Sequence, residues 1–206
     1  MNKFFAMLCL SVIIFTVAFM YYSGESEVGA TQDTTAVSPT VEETDPTTAT
    51  EPAPAITFTT FNVPEQYNSK DFKSFERWQS ITAKNTPHYK LQNEYAYTGD
   101  DGIRMVDGRY CIALGSYFTT AIGQYVDIVL ANGTVIPCIL GDQKADIHTD
   151  DLHIAHPDGS IVEFIVDMDV IASLARKMGN MSYAYDEWRS PVVQVIVYDI
   201  NHFDIV

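Results

Sequence analysis

The sequence predicts a mainly β domain, a small barrel of short strands with one or two short helices, carried on an N-terminal apolar segment and a polar linker. Three observations predict it. After Pro87, apolar residues recur with period two between turns rich in Gly and Asp. From Phe4 to Tyr22 the chain is apolar or small apart from Ser11, Thr16 and the closing tyrosines. Residues 23–57 abound in Thr, Pro, Glu and Ala and hold few large apolar residues, too few to offset the entropy of ordering.

The 4–22 run is long enough, at about 1.5 Å per residue, to cross most of a bilayer core. Lys3 precedes it and acids follow, which keeps the N-terminus inside and sends the rest outside. Residues 1–22 are therefore a signal anchor or a signal peptide. No small-x-small site follows Tyr22, although Val28-Gly29-Ala30 is a displaced candidate, so a retained single-pass anchor is expected and secretion after cleavage is the alternative. Cys9 is read as ordinary apolar filler. Residues 23–57 form a disordered tether. About 35 extended residues at roughly 3 Å each reach on the order of 100 Å.

Residues 58–206 form the folded domain. A helix is expected over 69–81, where Phe72, Phe75 and Trp78 recur at helical spacing behind Ser69. Strands follow at Tyr95–Thr98, Arg104–Val106 and Tyr110–Leu114, with turns at Gly99–Gly102 and Asp107-Gly108. Tyr125–Leu130 and Thr134–Leu140 flank Asn132-Gly133, a pair suited to a type I′ turn, and so predict a hairpin. Pro137 lacks an amide hydrogen and belongs at an edge or bulge. Ile161–Val166 resumes a strand, Asp169 caps a helix over Val170–Met178 ended by Gly179, and Val192–Ile200 is the last strand.

The chain carries 27 acids against 12 bases. Seven acids lie in the linker and Lys3 lies before it, which leaves 20 acids against 11 bases in the domain. A surface of that sign repels phosphate backbones, so nucleic acid is not an expected partner. Cys111 and Cys138 sit among apolar β residues. Outside the cell they form a disulfide, or else they are two small buried hydrophobes on neighbouring strands.

The most unusual stretch runs from Gly141 to Gly159 and holds Asp142, Lys144, Asp146, His148, Thr149, Asp150, Asp151, His153, His156 and Asp158. Crowded carboxylates raise one another's pKa and prepare a general acid, and a nearby Lys or His steadies the charged partner. A solvated acidic loop is the plain alternative. No metal is expected, because an EF-hand needs Gly at Asp151 and Glu at Pro157, and no His-Glu-x-x-His helix occurs. No nucleophile elbow and no phosphate-cradling glycine loop is present either, and no cofactor is implied.

The run Tyr110-Cys-Ile-Ala-Leu-Gly115, Ile122-Gly123-Gln-Tyr-Val-Asp-Ile-Val, Ile139-Leu-Gly-Asp142 and Val162-Glu163-Phe-Ile-Val resembles three-aspartate domains, relatives of the catalytic domain of membrane-bound lytic transglycosylase A. The wider pattern from Ser80 to Asp167 is also similar to exported proteins of Gram-positive anaerobes. The resemblance implies a six-stranded double-psi-like β-barrel acting on peptidoglycan or another wall glycan. It places Asp142 at the family's catalytic aspartate, which protonates the glycosidic oxygen while the sugar's own hydroxyl attacks. Asp146 is expected to assist as a second catalytic carboxylate, and Lys144, His148, Thr149, Asp150 and Glu163 to hold substrate. Gly115 replaces the family's first aspartate, Asp142-Gln-Lys144 replaces Asp-x-Gly, and Glu163 takes the third aspartate's place. A barrel that binds wall or a partner protein without cutting is the alternative.

Overall fold

The computed structural model describes residues 56–206. The apolar segment 1–22 and nearly all of the 23–57 linker lie outside the described residues, among which no helix is long and apolar enough to cross a membrane.

The described residues form a mainly β fold, a single mixed sheet of nine strands where six are expected. In chain order they are β1 (Phe58–Asn62), β2 (Ser74–Arg77), β3 (Tyr97–Thr98), β4 (Arg104–Val106), β5 (Arg109–Leu114), β6 (Gln124–Leu130), β7 (Val135–Gln143), β8 (Glu163–Val166) and β9 (Val192–Asn201). Three short helices intervene, α1 (Pro87–Lys90), α2 (Ser173–Met178) and α3 (His202–Ile205), and a π-helical turn over Leu91–Tyr95 continues α1. The main path runs β1-β9-β6-β7-β5-β4-β3, and β8 branches from β5 to carry β2.

Strand β5 is the axis of the molecule. It pairs parallel with β7 along one edge, and with β4 and then β8 antiparallel along the other. Cys111, Ile112, Ala113 and Leu114 are consequently buried on both faces, which is why this strand reads as a continuous apolar run rather than an alternating one. The hairpin of β6 and β7 forms as expected, but its turn is not type I′: of the Asn132-Gly133 pair only Gly133 has positive φ (87°), its amide donates to Leu130 O at 2.9 Å and the Leu130 amide to Thr134 O at 2.9 Å, a three-residue loop with glycine at its left-handed position. Pro137 lies opposite Asp127 on β6, and the β5 pairing begins only at Cys138. At Pro137 the other side of β7 is thus a free edge, and the missing amide hydrogen deprives no partner.

Cys111 and Cys138 are free and fully buried. Cys111 stands opposite Ile139, and Cys138 opposite Tyr110. Side chains of directly paired residues share a face while successive residues alternate, so the two thiols project to opposite faces of the sheet and are not placed to join. Burial raises both thiol pKa values, that of Cys111 to about 12.

The expected helix over 69–81 is absent. Its centre is β2, which lies parallel to β8 with Phe75 opposite Phe164, followed by a single 3-10 turn at Trp78–Ser80. Lys73 anchors the start of that strand. Its side chain is fully buried, and its ammonium donates to the carbonyls of Asp71 (3.1 Å), Trp188 (2.8 Å) and Ser190 (3.0 Å) and to Ser182 Oγ (3.2 Å). The tertiary pairing overrides the spacing of the aromatics. The second expected helix exists in shortened form. Gly179 ends α2 at φ 63°, but Asp167 rather than Asp169 organises the preceding turn, accepting from the amides of Ile171 through its carbonyl and of Asp169 through its carboxylate.

Gly115, just after β5, meets the loop that returns from Asp150. A Cβ there would stand 1.9 Å from the carbonyl oxygen of His153, so no side chain fits without moving backbone. Gly115→Ala is expected to destabilise the domain by on the order of 3 kcal/mol in urea unfolding; Gly133→Ala, where nothing lies within 4 Å, loses less, and only through its positive φ.

Candidate functional site

A single row of side chains crosses four strands. Ser74 on β2 is opposite Glu163 on β8, Glu163 is opposite Ala113 on β5, and Ala113 is opposite Asp142 on β7. Paired residues share a face, and Glu76 lies two residues beyond Ser74, so Glu76, Glu163 and Asp142 all project to one side. The last member arrives there only because the register shifts between Ile112 and Ala113, where Gly141 is passed over as a bulge. A Cβ at Gly141 would come within 2.7 Å of Ile165 Cδ1 and 3.2 Å of Cys111 Cβ. Ala113, small and central, leaves open the space above the row.

That space is a cleft of about 360 Å³ lined by Glu76, Asp142, Lys144, His148, Asp158 and Glu163, with Ala113 and His156. On its far side Asp142 also borders a second depression, of about 300 Å³, with Ser80–Ala83, Thr86 and His88.

Glu76 is the most perturbed carboxyl. Burial, then the negative charges of Asp142 and Glu163, and then a hydrogen bond to Asp142 push its pKa up to about 8, against a smaller opposing contribution from the Ser80 hydroxyl, which donates at 3.3 Å. Glu76 therefore carries a proton at neutral pH and presents it beside a carboxylate. Asp142 Oδ1 accepts from the Gln143 amide at 2.8 Å, and His88 Nε2 stands 3.5 Å away. Burial lowers the Lys144 pKa to about 8 while Glu163, Asp158 and Glu76 oppose the shift. Its ammonium donates to the Ser160 carbonyl at 2.8 Å and to Ser160 Oγ at 3.3 Å, and Ser74 Oγ donates to that same hydroxyl at 2.9 Å. A protonated carboxyl, a neighbouring carboxylate and a fixed cation make up the equipment for general acid catalysis.

Of the residues expected at the site, Asp142, Lys144, His148 and Glu163 come together. Asp146, Thr149 and Asp150 do not line the cleft. Asp146 is more than half exposed, accepts from Ser116 Oγ at 2.6 Å and lies 3.6 Å from His153 Nδ1. Thr149 Oγ1 donates to the Asp146 carbonyl at 2.8 Å and lies 3.2 Å from His153 Nδ1. Asp150 accepts from the amides of Leu152 (2.8 Å), Ile154 (3.3 Å) and Ala155 (2.9 Å). Burial would raise its pKa, but these donors hold it below the usual value. The three residues build the loop instead of facing a ligand.

Two residues of the site, Glu76 and His88, escape the sequence reading, and two more, His156 and Asp158, belong to the Asp- and His-rich stretch without being assigned a role there. Glu76 falls inside the segment read as helix, where the run Ser74-Phe75-Glu76-Arg77 shows no period-two alternation to mark it as strand. Asp158 accepts from the Ser160 amide at 2.8 Å and lies 3.0 Å from His156 Nδ1. Among the described residues no group of three or more His, Cys, Asp or Glu is arranged to hold a metal ion. Comparison with protein-family models, with curated proteins and with solved structures found no match, so the resemblance to three-aspartate domains rests on the quoted residues alone.

The Glu76 shift fixes the sign of a pH effect. A carboxyl whose folded pKa is raised stabilises the fold most at low pH and loses that contribution as pH rises through the folded value, here from about 4.5 to about 8. The lowered Lys144 and Lys73 act in the separate window between about 8 and 10.5, where stability rises with pH. Urea unfolding from pH 5 to 8 should show stability declining in the wild-type chain and a flatter profile in Glu76→Gln. Equal slopes would contradict the assignment.

Proposed function

We propose that this chain works outside the cytoplasm, held to the membrane by its N-terminal segment, as a domain that cleaves the glycan strands of peptidoglycan in the manner of a lytic transglycosylase. The observation that carries the reading is the proton-sharing Glu76 and Asp142 pair at the edge of an open cleft. The parallel pairing of β5 with β7 and of β2 with β8 supports a double-psi-like barrel as its frame.

In this reading Glu76, the carboxyl whose pKa is raised, takes the acid's role that the resemblance implies for Asp142, and the glycosidic C–O bond breaks as its oxygen takes the proton from Glu76. A hydroxyl of the same sugar closes onto the anomeric carbon and passes its own proton to Asp142. The pair gives one proton and receives one, so it ends the cycle with its proton restored and needs no water and no covalent intermediate. Lys144 limits the negative charge that the cleft accumulates, and Glu163 accepts from sugar hydroxyls.

A second reading, capture of wall without turnover, is favoured by Ile147, which is 88% exposed on the turn next to His148 and offers an apolar contact at the rim. The same experiment separates the two. Incubated with insoluble peptidoglycan, the wild-type chain should release anhydro-muropeptides, and Glu76→Gln or Asp142→Asn should each lower the rate by about 100-fold or more. Wall binding that persists in both variants, with no release by the wild type from several wall types, would establish the second reading and exclude the first.

A further inference from the structure

The second depression does not end at His88. Its wall residue Thr86 also borders a third, of about 410 Å³, formed by Lys84, Asn85, Pro87, Lys90 and Glu94 over Phe203. Three depressions thus adjoin in order, with Asp142 shared by the first pair and Thr86 by the second. Their charge changes along the way. The first is dominated by carboxylates, whereas the third holds two lysines in a domain with a large excess of acids.

Those lysines are not consumed by the fold. Most cations elsewhere in the domain are committed: Lys73, Arg104 and Lys144 are buried on oxygen acceptors, Arg109 pairs with Asp127, and Arg189 lies 3.3 Å from Asp186. Lys84 and Lys90 are exposed and have no side-chain hydrogen-bond or ion-pair partner among the described residues. The Lys90 ammonium lies 5.7 Å from the ring centroids of both Tyr95 and Phe203, which orients it over the depression at little cost in solvation. Glu94 keeps the net charge there small, so the site suits a ligand that brings hydroxyl donors together with an anion better than a bare anion.

We propose that this third depression is an anion subsite, in which Lys84 and Lys90 hold a carboxylate of a glycan chain that passes Asp142. The subsite rests on the glycan reading given above and sharpens it, because it selects a carboxylate-bearing chain over a neutral one. The carboxylate comes from the sugar itself or from a peptide attached to it, and the arms of the test distinguish these.

The full-length chain carrying Glu76→Gln, so that nothing is cut, is titrated with three tetrasaccharides. One is neutral, built of N-acetylglucosamine alone; one alternates it with a sugar bearing a free lactyl carboxylate; one carries a short peptide on that carboxylate. At least one carboxylate-bearing chain should bind about tenfold more tightly than the neutral one. Adding Lys84→Ala and Lys90→Ala should erase the difference while leaving neutral binding unchanged, and Lys84→Arg with Lys90→Arg should retain it. The better of the two acidic chains identifies the source of the carboxylate. Equal binding of all three, or a preference that survives the double alanine change, overturns the subsite and leaves the glycan reading intact. Failure of the chain to bind any of the three overturns the glycan reading itself.

Discussion

The bulge at Gly141 is the constraint on which the cleft depends. Along β7, Leu140 stands opposite Ile112, and the next residue in register is Asp142 opposite Ala113. Were Gly141 paired in regular register instead of bulged, Asp142 would share a face with Leu140 and Cys138 and point into the packed layer where Ile112 and Phe164 are buried. A carboxylate in that layer would be unpaired and costly. The bulge turns it to the face that already bears Glu163 and Glu76. The absence of a side chain at 141 is what permits this, because Ile165 and Cys111 occupy the volume that a Cβ would need.

The crowding of three carboxyls is tolerated because buried cations fix the backbone around them. Lys73 stitches the start of β2 to the segment 182–190 through carbonyls and a hydroxyl, with no carboxylate needed. Arg104 donates to the carbonyls of Gln92 and Ala96, each at 2.7 Å, and stacks 4.9 Å from the Trp78 ring centre, which holds the turn that follows Glu76. Lys144 closes the floor through Ser160. Each of these side chains satisfies irregular backbone that no sheet partner reaches. Together they hold Glu76 where the repulsion from Asp142 is resolved by keeping a proton.

What was legible in the sequence was local. The Asn132-Gly133 hairpin, the left-handed Gly179, and the strands around Cys111 and Val195 follow from patterns within a dozen residues. Asp142 and Glu163 were recognisable through the motifs that resemble three-aspartate domains, and Lys144 through its place in the Asp- and His-rich stretch. The remainder depended on pairings distant in the chain. Phe72, Phe75 and Trp78 have helical spacing, but the partner that makes Phe75 a strand residue is Phe164, and that parallel pairing leaves no trace in the segment itself. Glu76 was hidden with it. The dense acids of 146–151 misled in the opposite direction, since closeness along the chain did not bring Asp146 or Asp150 into the cleft. Asp150 faces three amides of its own loop, a local use that Asp serves well.

The central claim is that Glu76 keeps a proton at neutral pH because it is buried and because Asp142 and Glu163 stand beside it. Carbon-13 NMR of the labelled side-chain carboxyls across a pH titration tests it directly. The account predicts that the Glu76 carboxyl titrates near pH 8, and that Asp142→Asn moves its midpoint down toward the ordinary glutamate range. A wild-type midpoint near 4.5, unmoved by that substitution, would contradict it.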